Sequence, residues 1–85
     1  VKRYLVMAMR RPAFDEGAIA PHLAFLDELS DSGHLEMTGG FSDKTGGAYV
    51  LVNLDSLEQA RAIAARDPLA TLGTSDLTVY EWNTR

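Results

Sequence analysis

Residues Arg3 to Met9 read as an extended run that is apolar on both parities, with Leu5, Met7 and Met9 on one face and Tyr4, Val6 and Ala8 on the other. Side chains alternate across a strand, so such a run needs cover on both of its faces. The same pattern returns later: Val50 and Val52 alternate with Tyr49 and Leu51, and Val79 alternates with Tyr80 and Trp82. Any fold of this chain therefore needs two layers of cover over one sheet, and 85 residues leave little material for them. A chain of this length buries only about 60% of its unfolded surface and supports one core, so residues 1–85 are read as a single domain.

Between the apolar runs the pattern changes period. Pro12 ends the first run, and Asp15 and Glu16 put negative charge where a helix can begin. Ile19, Leu23, Leu26 and Leu29 recur at helical spacing with His22 and Phe25 flanking the stripe, and Gly33 stops it. Pro21 must lie in the first turn, because deeper placement would remove a helix hydrogen bond. Residues His34 to Phe41 alternate as a strand, and Gly39-Gly40 near its end imply a bulge or a close backbone approach. Ser42 to Gly47 form a turn, and Ala48 to Leu54 return as the second arm of a hairpin.

Asp55 or Ser56 caps a second helix, with Glu58 or Gln59 completing a capping box and Leu57, Ala60, Ile63 and Ala64 making its apolar side. Pro68 ends that helix at Asp67, where the carbonyl ends disfavour a carboxylate by about 0.3 to 1 kcal/mol. A loop through Gly73-Thr74-Ser75 leads to a last strand, Leu77 to Trp82. The order predicts an α+β, ferredoxin-like βαββαβ fold: a four-stranded antiparallel sheet with both helices on one face. The other face is left apolar and uncovered. A second copy of the sheet is the expected cover, and with it a homodimer.

Charge and composition bound the function. Twelve acidic against eight basic residues give a net charge of −4, which argues against a nucleic acid or an anionic membrane as partner. The opening Val1-Lys2-Arg3 and its apolar run imitate a secretory leader, but Arg10-Arg11 interrupt it well short of one, and no run approaches a membrane span. The chain has no cysteine, hence neither a disulfide frame nor a thiolate metal site, and a cytoplasmic setting fits.

Two residues sit where local rules favour something else, His22 on an apolar helical stripe and Asp67 beside Pro68. A lone histidine there ordinarily packs with one nitrogen satisfied, and Asp-Pro ordinarily starts a turn. If the fold joins them, the carboxylate fixes the imidazole tautomer and leaves the second nitrogen for a substrate. Arg10 can receive an anionic substrate or simply meet solvent. The amides of Gly39 and Gly40 can donate to a developing oxyanion, or these glycines can serve backbone geometry. Tyr49, Tyr80 and Trp82 can line a pocket or an interface. His34 and Glu36 share a strand face but supply too few donors for a metal, and neither a metal nor a cofactor is expected.

The ordered set His22-Leu23-Ala24-Phe25-Leu26, Gly33, Gly39-Gly40-Phe41, Ser56-Leu57-Glu58-Gln59-Ala60, Asp67-Pro68 and Trp82 resembles the YCII-like (YciI) family across nearly the whole chain. Gly40 stands where sequences of that family often have proline, and Pro21 directly before His22 is unusual for them. The resemblance implies a dimeric α/β barrel, akin in architecture to muconolactone isomerases, with a His-Asp site at His22 and Asp67. The expected chemistry is proton transfer, an isomerisation or elimination on a small organic acid, lactone or hydroxylated ring compound. The competing expectation is a dimeric module of the same fold that binds or senses a small ligand without transforming it.

Overall fold

The computed structural model describes residues 1–85. Strand β1 (Lys2–Arg10) leads through a 3₁₀ turn (Glu16–Ala18) into helix α1 (Ile19–Asp31). Strands β2 (Leu35–Gly40) and β3 (Gly46–Leu51) form the hairpin. Helices α2 (Leu57–Ala64) and α3 (Pro68–Thr71) then precede strand β4 (Ser75–Asn83). The sheet runs β2-β3-β1-β4 with every neighbouring pair antiparallel, which is the ferredoxin-like arrangement.

Register explains the core. Tyr4 stands opposite Leu51, Val6 opposite both Tyr49 and Val79, and Ala8 opposite Gly47 and Leu77, so one parity of each strand turns toward the helices. Tyr4, Val6, Tyr49 and Leu51 are buried there beneath Leu26 and Leu29 of α1 and Ala60, Ile63 and Ala64 of α2. Full burial of side chains such as Leu51 stabilises by about 1.5 to 3 kcal/mol each. The other parity faces away from the helices, where Leu5 and Met7 are half-buried and Met9, Tyr80 and Trp82 are exposed.

Local signals act as chemistry dictates. Pro21 falls in the first turn of α1. Gly33 takes a left-handed φ of 80°, and His34 N–H donates back to Leu29 O at 2.9 Å, closing the helix end. Ser56 Oγ accepts from Gln59 N–H at 3.1 Å while the Gln59 side chain accepts from Asp55 N–H at 2.8 Å, so Ser56 and Gln59 make the start of α2.

The bulge lies between Leu35 and Met37, around Glu36, and Gly39-Gly40 show the other alternative, a close backbone approach against Gly47. Three expectations need correction. Strand β3 begins at Gly46 and ends at Leu51, since Gly46 and Gly47 pair with Met9 and Ala8 while Asn53 turns left-handed at φ 59°. Leu23 is exposed, and α1 instead turns Ile19, His22, Phe25, Leu26 and Leu29 inward. Finally, Pro68 does not end the second helix. It is the first residue of a third, one turn long, a position that suits a residue lacking an N–H. No helix is long and apolar enough to cross a membrane.

Candidate functional site

Asp67 is the N-cap of α3, with extended backbone angles and a carboxylate that accepts from Leu69 N–H at 2.9 Å. It thus sits at the amide end of a short helix, where a carboxylate is favoured, and not at the carbonyl end that the sequence suggested. Its backbone carbonyl takes the N–H groups of Ala70 and Thr71 at 2.8 and 2.9 Å, so the cap geometry fixes the side chain's direction.

Two further donors meet that carboxylate. His22 Nδ1–H donates to Oδ1 at 2.8 Å, and the Tyr49 hydroxyl donates to Oδ2 at 2.9 Å. A carboxylate only accepts, so this geometry puts a His22 proton on Nδ1 and leaves Nε2 as the ring nitrogen not committed to Asp67. Asp67 has no solvent exposure, whereas 16% of the His22 side chain remains exposed. Burial, then the facing Asp67 charge, then the hydrogen bond itself push the Tyr49 phenol far above its ordinary range. Tyr49 therefore stays a donor and is no base.

His22 and Tyr49 line a cleft of about 280 Å³ between α1 and the end of the β2–β3 hairpin, and Arg10, Gly39 and Gly40 border the same cleft. Six of the candidates read from the sequence thus come together, with Asp67 behind the wall and Arg10, His22, Gly39, Gly40 and Tyr49 forming it, whereas Tyr80 and Trp82 do not join them. The Arg10 guanidinium stacks over the Phe14 ring at 4.1 Å and has no carboxylate partner, unlike Lys2, Arg3 and Arg11. A cation held on an aromatic face keeps its in-plane N–H donors free for an anion.

The glycines divide into two kinds. A Cβ on Gly46 would collide with Ala8 O, and one on Gly47 would lie 2.5 Å from Gly39 O, so these two permit close backbone approach. Gly39 and Gly40 meet no such obstacle and have no left-handed φ. Their amides do not form an oxyanion hole across the cleft, because strand N–H groups lie in the plane of the sheet. What they contribute is a wall without side chains.

Other candidates are engaged elsewhere. Both Glu36 oxygens accept from Arg3 Nε at 2.8 and 2.9 Å, which lowers the Glu36 pKa, and His34 Nδ1–H donates to Val52 O at 3.1 Å. Tyr80 and Trp82 lie on the sheet face opposite the cleft. Phe14 and Leu69 are cleft residues that sequence reasoning missed. An Asp-Pro-Leu stretch read as N-cap, N1 and amide donor would have found Leu69, whereas nothing local marks Phe14.

A half-buried histidine hydrogen-bonded to a buried carboxylate at a small cleft on a ferredoxin-like sheet defines a small α+β domain with a His–Asp pair beside its cleft. Residues 3–83 match the YCII-related domain, and the chain belongs to that family. It is 48% identical over 79 residues to the uncharacterized protein YjpA of Bacillus subtilis (strain 168), covering 93% of this chain and 92% of YjpA. Among solved structures it is similar to the 5-chloro-2-hydroxyhydroquinone dehydrochlorinase TftG of Burkholderia phenoliruptrix AC1100, in complex with 2,5-dihydroxybenzoquinone. That likeness has a TM-score of 0.71 over 95% of this chain and 93% of TftG, at 20% identity, and speaks for the fold alone.

Proposed function

We propose that the protein catalyses proton transfer on a small anionic, hydroxylated ring compound, an isomerisation or an elimination, with His22 and Asp67 as its acid/base pair. The observation that carries this reading is the 2.8 Å contact from His22 Nδ1 to a fully buried Asp67, on a ring that borders the cleft. With Nδ1–H committed, Nε2 accepts a proton from substrate as general base and returns it as general acid, while Asp67 stabilises the imidazolium in between. Arg10 receives the substrate's anionic oxygen. The ligand and reaction named for TftG, a hydroxylated quinone and a dehydrochlorination, support this substrate class and chemistry by analogy of fold.

The reading extends to assembly and place. The exposed Met9, Tyr80 and Trp82 on the sheet face away from the helices support a homodimer that buries that face. A chain without cysteine suits the reducing cytoplasm.

The test uses 1,2,4-trihydroxybenzene in deuterated buffer under argon, with ring hydrogen exchange followed by NMR. The protein accelerates exchange, and His22→Gln lowers that acceleration by about 10²- to 10⁴-fold. In parallel, imidazole ¹⁵N shifts place the His22 proton on Nδ1, and Asp67→Ala releases it to Nε2. Equal exchange in wild type and His22→Gln sinks the catalytic role, and a wild-type proton on Nε2 sinks the dyad.

A further inference from the structure

We infer that Gly40 makes the cleft a slot that selects planar rings over puckered ones of the same charge and size. This inference rests on the proposed reading of the cleft as the substrate site. Gly40 pairs with Gly47, which pairs with Ala8, a residue buried on the helix side of the sheet, so Gly40 belongs to the parity that faces α1. A side chain there would enter the cleft. The backbone does not call for glycine at this position: φ is not left-handed, and the nearest atom to an added Cβ is Gly46 O at 3.9 Å, an ordinary contact. The contrast with Gly46 and Gly47, where a Cβ would strike backbone, marks Gly40 as open for another reason.

The consequence is a cleft with two unlike walls. On the strand side, Gly40, Gly47 and Ala8 present little beyond peptide planes, next to the side chains of Thr38 and Tyr49. On the helix side, Ile19, His22 and Leu23 present side chains. A flat ring can lie face-on against peptide planes within the slot that His22 borders, whereas a puckered ring raises axial hydrogens off that surface and forfeits contact along it. Size agrees with one ring, since a cavity of roughly 150 Å³ already admits benzene and about 280 Å³ leaves room for one or two polar substituents. Arg10, which borders the same cleft, fixes the ring's orientation through its anionic group.

The probes are benzoate and cyclohexanecarboxylate, equal in charge and close in size, titrated against the intact protein and followed by NMR. Wild type binds benzoate about tenfold or more tightly than cyclohexanecarboxylate. Gly40→Val weakens benzoate by a similar factor while His22 keeps its proton on Nδ1, which shows that the site is still assembled. Equal affinity for the two acids in wild type, or unchanged benzoate affinity in Gly40→Val, overturns the slot. Arg10→Ala separates the two levels of inference: equal affinities that Arg10→Ala abolishes overturn the slot alone, whereas binding that ignores Arg10→Ala also removes the anion-binding part of the proposed function. Failure of wild type to bind either acid overturns both.

Discussion

Tyr49 gives its hydroxyl proton to Asp67 Oδ2, and burial together with the facing charge holds that phenol above its ordinary value of 10.0. The sign of the resulting pH dependence follows from proton counting. Above pH 10 the unfolded chain releases the Tyr49 proton while the folded chain retains it, so the stabilisation is complete below pH 10 and declines as pH rises further. Urea unfolding at pH 9 and pH 11 should show a fall in stability that is smaller in Tyr49→Phe. That variant also starts lower at pH 9, by about 1 to 3 kcal/mol, because Asp67 loses a donor. Identical pH slopes in the two proteins would remove Tyr49 from this role. At this scale the sequence marked two residues that the fold brings into contact and misled about the setting of one of them. His22 and Asp67 stood out as misfits, yet Asp67 is well placed electrostatically. The helix it caps is a single turn, too short to leave any periodic trace.

Among the elements, the β2–β3 hairpin carries the clearest division between structural and vacant glycine. Gly46→Ala drives a methyl group into Ala8 O, and overpacking against backbone is expected to cost about 1 to 3 kcal/mol. Gly40→Ala meets nothing closer than 3.9 Å and removes the entropic cost of glycine in a strand, a gain of about 0.5 to 1 kcal/mol. For a domain of this size the melting temperature moves roughly 4 to 8 °C per kcal/mol, so calorimetry of the two variants should give shifts of opposite sign. Shifts of the same sign would show that the crowding at Gly46 is relieved elsewhere. Element order was legible because each segment's period is distinct, and the caps at Ser56 and Gly33 were legible because they are local chemistry. Which glycine pair is crowded was not. That depends on how closely β3 approaches β1 and β2, a distance no short stretch of sequence encodes.

For the whole molecule, the sheet presents a second face that the helices do not cover, with Trp82 47% and Tyr80 50% exposed beside Leu5 and Met7. The proposed homodimer buries this face, so light scattering should report a dimer at micromolar concentration, and Trp82→Glu should shift it toward monomer by placing a charge in an apolar contact. A wild-type monomer at that concentration would refute the pairing. The site has a different consequence for the molecule, arising from the three donors that meet on Asp67. They come from α1, β3 and the first turn of α3, parts of the chain far apart in sequence. A slip of β3 by a single residue would turn Tyr49 to the opposite face and strand a buried oxygen, a penalty of about 1 to 3 kcal/mol charged to the misfolded arrangement alone. The hydrogen bonds gathered on Asp67 therefore also act as a proofreader of strand alignment, so that a chain able to assemble this cluster has already been checked for the correct fold.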